Sequence, residues 1–146
     1  MKKTVTNQMK LEFIAISENE CFARQVACAF AAGLDPTFEE LSDLRVIVSE
    51  AVTNCIVHAY KGMPIGTVEI ALRCYDDRSL RIKIRDRGCG IDNIERCMEP
   101  LYTTDPDGER GGMGFPIMKS LSDKLSVISH PGKGTLVTLT KALGST

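Results

Sequence analysis

The stretch from Leu41 to Tyr60, LSDLRVIVSEAVTNCIVHAY, leaves the chain few ways to fold. Leu41, Leu44, Val48, Ala51, Val52, Cys55, Ile56 and Ala59 recur at three-and-four spacing, the period of a helix with one stripe against a core. Thr37 and Glu40 form a T-x-x-E capping box after Pro36, which fixes where that helix starts. Glu50 and Asn54, one turn apart, stack a carboxylate and a carboxamide on a face beside the stripe. Such a pair suits a hydrated metal ion, and it equally suits solvent.

The rest of the chain supplies what that helix packs against. MKLEFIAI from Met9 to Ile16 alternates like a half-buried strand. Ser17 and Glu20 repeat the capping-box pattern and predict a helix through Phe22, Val26, Ala29 and Phe30 that ends near Gly33. After KGMPIG, two alternating runs over Val68–Cys74 and Leu80–Ile84, joined by Asp76, Asp77 and Ser79, predict a hairpin with one apolar and one basic face. Residues 92–112 lose clean periodicity and read as a long polar lid loop. A short helix then starts at GGMGF, with Pro116 in its first turn, and a second hairpin turns at HPGKG.

At 146 residues this is one expected domain, 1–146, with a net charge of −1 that gives no electrostatic grip on nucleic acid or an anionic membrane. The six cysteines form no C-x-x-C pair, so a zinc site is not expected. With no signal-peptide core and no membrane-length apolar run, the chain reads as soluble and cytoplasmic.

Three glycine clusters follow the central helix: DRGCG from Asp86, GGMGF from Gly111 and GKGT from Gly132. Each alone fits a tight turn. Asp86, however, ends an alternating strand, where its carboxylate can accept the exocyclic amine of adenine while Gly88 and Gly90 let a flat ligand approach the backbone. Gly111, Gly112 and Gly114 lie at a helix start, where unpaired N–H groups favour phosphate. A metal near Asn54, an adenine acceptor at Asp86 and phosphate donors near Gly112 and Gly114 are the fixed points of an ATP·Mg²⁺ site. GKGT lacks the order of a Walker loop.

EAVTN, DRGCG, GGMGF and GKGT, in that order, resemble the four nucleotide-binding boxes of the ATPase superfamily that includes gyrase, Hsp90, histidine kinases and MutL. LEFIAISENECFAR, LDP, PLYTT and ERGGMGF extend the resemblance to the anti-sigma F factor family of sporulating bacteria, over about residues 10–141. The general-stress branch of the same serine kinases shares all four boxes, and LDP, PLYTT and SENECFAR favour the sporulation branch. The resemblance implies an α+β two-layer sandwich of the Bergerat type, a mixed sheet with helices on one face.

It implies Glu50 as catalytic base, Asn54 as Mg²⁺ ligand, and Asp86 with Thr135 at the adenine, with Gly88 and Gly90 beside it. Thr103, Thr104, Arg110, Gly112, Met113 and Gly114 would surround the phosphates. Glu20, Arg24 and Thr53 fall where the family contacts partners. The implied partners are a sigma-F type sigma factor, an anti-anti-sigma protein as serine substrate, and a second copy in a homodimer. Asp105 and Gly108 depart from the lid pattern, which expects a basic residue and a bulkier one.

Other classes share some of these residues. A binding module in which ATP only sets a sigma-sequestering conformation would not need Glu50. The catalytic half of a histidine kinase would need a phosphoacceptor helix, yet His58 falls inside the nucleotide helix and His130 in a turn. A water-using ATPase shares the glutamate, and the lack of a large transducer domain disfavours it.

Overall fold

The computed structural model describes residues 2–99 and 114–144. Within them the order is β1 (Val5–Ile14), α1 (Glu18–Ala31), α2 (Phe38–Asn54), β2 (Thr67–Tyr75), β3 (Ser79–Asp86), α3 (Ile94–Cys97), α4 (Phe115–Leu121), β4 (Lys124–His130) and β5 (Gly134–Ala142).

α2 begins as its sequence predicts. Thr37 Oγ1 accepts from Glu40 N at 3.1 Å and Glu40 Oε1 accepts from Thr37 N at 2.8 Å, so both halves of the capping box form. Its buried stripe is Leu44, Ile47, Val48, Ala51 and Val52. Each large aliphatic side chain there contributes roughly 1.5–3 kcal/mol by leaving water. The helix continues into a π-helical turn at Cys55–Ala59.

α1 departs from expectation twice. Ser17 has helical φ and ψ of −58° and −33° and caps nothing with its hydroxyl, because a capping side chain needs extended backbone. Glu20 turns instead to Arg24, 3.4 Å away. The buried face is also not the Phe22, Val26, Ala29, Phe30 stripe: Ala23, Ala27 and Ala31 are buried, while Phe22 is 63% exposed. Small side chains at i, i+4 and i+8 let α1 lie close to α2, with Phe30 partly buried against the core.

The five strands form one sheet in the order β1-β2-β3-β5-β4. Val68, Ile70, Leu72, Leu80, Ile82, Ile84, Val137 and Leu139 make its buried face, and the core lies between that face and α1, α2 and α4. This is the two-layer α+β arrangement, with the described helices on one face. All four ladders between described strands are antiparallel, where the resemblance implied a mixed sheet. The reason is the second hairpin, which seats β5 beside β3 and sends β4, the strand parallel to β3, to the edge.

Residues 92–112, expected as loop, contain α3 in their first part. Asn93 Oδ1 accepts from Arg96 N at 3.1 Å and caps it, and Cys97 is buried beneath. Residues 100–113 lie outside the described residues. Among the described residues, no helix is long and apolar enough to cross a membrane.

Candidate functional site

The end of α2, the end of β3 and the start of β5 converge on a cavity of about 230 Å³. Ala51, Asn54, Cys55 and His58 line it from the helix, Ile84 and Asp86 from β3, and Thr135 and Val137 from β5. Gly90, Ile91 and Phe115 add to the wall, with Ala59, Lys61 and Cys89. Asp86 and Thr135 are directly paired across the β3–β5 ladder, so one register places carboxylate and hydroxyl side by side.

Asp86 is buried, and burial pushes its carboxyl above the ordinary carboxylate range. Three groups partly offset that push: the Gly88 N–H, the Cys55 thiol and the Thr135 backbone N–H. Gly88 N donates to Oδ1 at 2.9 Å, and Cys55 Sγ stands 3.7 Å from Oδ2 and 3.4 Å from Ala51 O. Burial, and then the Asp86 charge, push the Cys55 thiol well up, so it stays protonated and able to donate.

The strand-to-loop corner after Asp86 is held hard against the π-helical turn that follows α2. A Cβ at Gly88 would run into the Ala59 carbonyl, to which Cys89 N donates at 2.7 Å, so no larger residue fits there. Gly90 packs on the His130 carbonyl with φ +78°. Tyr60 bolts the same corner from the other side: its hydroxyl donates to Thr67 O at 2.6 Å and accepts from Arg87 N at 2.9 Å. Helix end, β2 start and β3 end are thus tied through one oxygen.

Glu50 sits one turn before Asn54, half-buried and outside the cavity lining. Gly114, with φ +74°, is the N-cap of α4, and a Cβ there would strike the Glu50 carboxylate. Only glycine both adopts that conformation and lets the chain pass so close to Glu50. Glu50 also lines a shallow notch together with Arg24, Arg45, Val46 and Ser49.

The structure therefore brings Asn54, Asp86, Gly90 and Thr135 to one cavity, with Gly88 behind Asp86 and Glu50 next to Gly114. Arg24, paired with Glu20, reaches the notch beside Glu50, while Thr53 is half-buried on α2 and lines neither recess. Thr103, Thr104, Arg110, Gly112 and Met113 lie outside the described residues. Cys55, His58 and Phe115 were not singled out as site residues. For the first two the signal was present, since 51, 54, 55 and 58 fall on one helical face.

No cluster of three or more His, Cys, Asp or Glu able to cage a metal occurs among the described residues. Asn54, buried in the cavity wall, offers a single oxygen ligand. That donor set fits Mg²⁺, which is commonly held by one or two protein oxygens, water and substrate phosphates.

A model of the histidine kinase-like ATPase domain matches residues 18–141. The chain is 51% identical over 138 residues to the anti-sigma F factor of Caldanaerobacter subterraneus subsp. tengcongensis, covering 94% of this chain and 95% of that one. It is 50% identical over 135 residues to the anti-sigma F factor of Clostridium acetobutylicum, covering 92% and 93%. The anti-sigma F factor of Bacillus cytotoxicus shares 47% over 139 residues, covering 95% and 94%. Among solved structures, the RsbU and RsbW domains of a Mycobacterium tuberculosis protein share the fold, with a TM-score of 0.70 at 19% identity over 97% of this chain and 34% of that one. A blue-light activated histidine kinase domain from Erythrobacter litoralis aligns with a TM-score of 0.54 at 25% identity, covering 72% and 45%.

Proposed function

The chain belongs to the anti-sigma F factor family and carries its histidine kinase-like ATPase domain, and from that premise we propose an ATP-dependent protein serine kinase that also holds a sigma factor. The sigma factor is of the sigma-F type, and the phosphorylated serine lies on the anti-anti-sigma antagonist. The observation that carries the reading is Asp86 paired with Thr135 on the wall of a cavity whose helical wall holds Asn54.

Asp86 accepts the adenine amine, a charge-assisted hydrogen bond of roughly 1.5–3 kcal/mol. Asn54 would hold Mg²⁺, which would offset the phosphate charge. The backbone around Gly112, Met113 and Gly114, with Thr103, Thr104 and Arg110, contacts the phosphates. Glu50, next to Gly114, takes the proton from the partner serine as its oxygen attacks the γ-phosphorus and ADP leaves. Positioning and charge stabilisation do most of the work in such a transfer. Glu20, Arg24 and Thr53 form the partner surface, and the working unit is a homodimer in the cytoplasm.

The test is transfer of label from ATP, with Mg²⁺, to a serine of the anti-anti-sigma protein. Label on that serine, lost with Glu50→Ala, supports the kinase. Tight ATP binding with no label on the partner replaces it with a nucleotide-gated sigma-binding module.

A further inference from the structure

Ser129 sits on β4, outside the four boxes, yet its hydroxyl meets both the loop after β3 and the start of β5. Ile91 N donates to Ser129 Oγ at 2.7 Å, Ser129 Oγ donates to Gly134 O at 3.1 Å, and Ser129 Oγ lies 2.8 Å from Thr135 Oγ1. A serine hydroxyl has one hydrogen and two acceptor lone pairs. The Ile91 N–H can only donate, so it takes one lone pair. The Gly134 carbonyl can only accept, so it takes the hydrogen. What remains for Thr135 is the second lone pair, and Thr135 must therefore be the donor in that contact.

A threonine whose one hydrogen points back at Ser129 presents only lone pairs to the cavity. Its ladder partner Asp86, when ionised, is also acceptor-only. The wall of the cavity is then two acceptors side by side, a match for an amino group with two hydrogens and a mismatch for a carbonyl oxygen. We infer that Ser129 is a positioning residue that fixes the direction of the Thr135 hydroxyl and so sets the preference for a 6-amino over a 6-oxo purine nucleotide. This rests on the adenine reading of the cavity given above. Ser129 also ties the loop after β3, through Ile91, to the first residue of β5, Gly134, so the acceptor pair and the cavity wall are set by one side chain.

Calorimetric titration of the full chain with ATP and with inosine triphosphate, each with Mg²⁺, tests the inference. The unaltered protein is expected to prefer ATP. In Ser129→Ala the Thr135 hydroxyl is free to turn and donate to a 6-oxo group, so the ATP-to-inosine-triphosphate affinity ratio should fall by about three- to tenfold. Ser129→Thr, which keeps the hydroxyl, should retain the ratio. Thr135→Val, with Ser129 intact, should lower the ratio because one of the two acceptors is gone, and it reads out the same pairing if Ser129→Ala does not fold. Parallel weakening of both nucleotides in Ser129→Ala, with the ratio unchanged, would make Ser129 merely structural and overturn the inference. So would an unchanged ratio in Thr135→Val. A preference for ATP in the unaltered protein that Ser129→Ala leaves intact fails the inference alone, whereas equal binding of ATP and inosine triphosphate fails the amine contact at Asp86 and the inference with it. If the unaltered protein binds neither, the adenine reading fails and takes the inference with it.

Discussion

The two ends of the site are held by different means. At the Asp86 end, hydrogen bonds fix Asp86, Thr135 and the corner beside them: Gly88 and Cys55 on Asp86, Ser129 on Thr135, Tyr60 across Thr67 and Arg87. At the Glu50 end, position follows from one helix and one close backbone approach, that of Gly114. The first end is built to recognise, since its donors and acceptors are set before any ligand arrives. The second places a half-buried carboxylate on α2 where it lines a recess together with Arg24 and Arg45.

That contrast is broken most directly at Glu50. Glu50→Ala should lower phosphoryl transfer by roughly 10²–10⁴ while ATP affinity stays within about twofold, read by label transfer and titration in parallel. A parallel loss of affinity would mean that the two ends are not separable. Asp86→Ala should do the opposite, weakening ATP binding by about 10- to 150-fold, measured by titration with the fold checked by thermal melting. Tyr60→Phe leaves the Arg87 N–H and the Thr67 carbonyl without the hydroxyl between them, and should lower stability by about 1–3 kcal/mol in denaturant unfolding. If only binding changed and not stability, Tyr60 would belong to the ligand rather than to the scaffold.

The smallest effect is a pH dependence confined to the Asp86 end. Because burial raises its carboxyl in the folded chain, the fold binds that proton more tightly than the unfolded chain does. Its contribution to stability is therefore fully present below the ordinary value of 3.8 and is lost as pH rises through the raised one. ATP affinity should run the other way, falling as pH drops through the raised value and the carboxylate is neutralised. Melting and titration of the unaltered protein should show these opposed slopes, and Asp86→Asn should flatten both.

How much of this could be read in the sequence varied with distance along the chain. Thr37 and Glu40 are three residues apart, and the box they form depends on nothing else. Ser17 and Glu20 have the same spacing, but Arg24 competes for the glutamate and the backbone at Ser17 is already helical. Asp86, Gly88 and Gly114 were legible because a strand end or a helix start fixes what each must do. Ser129 and Tyr60 carry no local signal: an isolated serine in an alternating strand and a tyrosine ending a helix acquire their roles from partners 5 to 38 residues away. Thr103, Thr104, Arg110, Gly112 and Met113 rest on the motif alone.

The π-helical turn at Cys55–Ala59 takes up one residue of chain. A π turn holds about one more residue than an α turn, so it lets Asn54 keep the phase of α2 while Tyr60 arrives where Thr67 and Arg87 can both reach its hydroxyl. Deleting one residue between 55 and 59 would restore the α pitch with Tyr60 near its present phase, because five α steps of about 100° turn nearly as far as the six wider steps they replace. The KGMPIG turn that follows holds no helical phase over most of its length. Related chains should therefore differ by no more than a single residue before Tyr60, and larger insertions and deletions should gather in the turn after it.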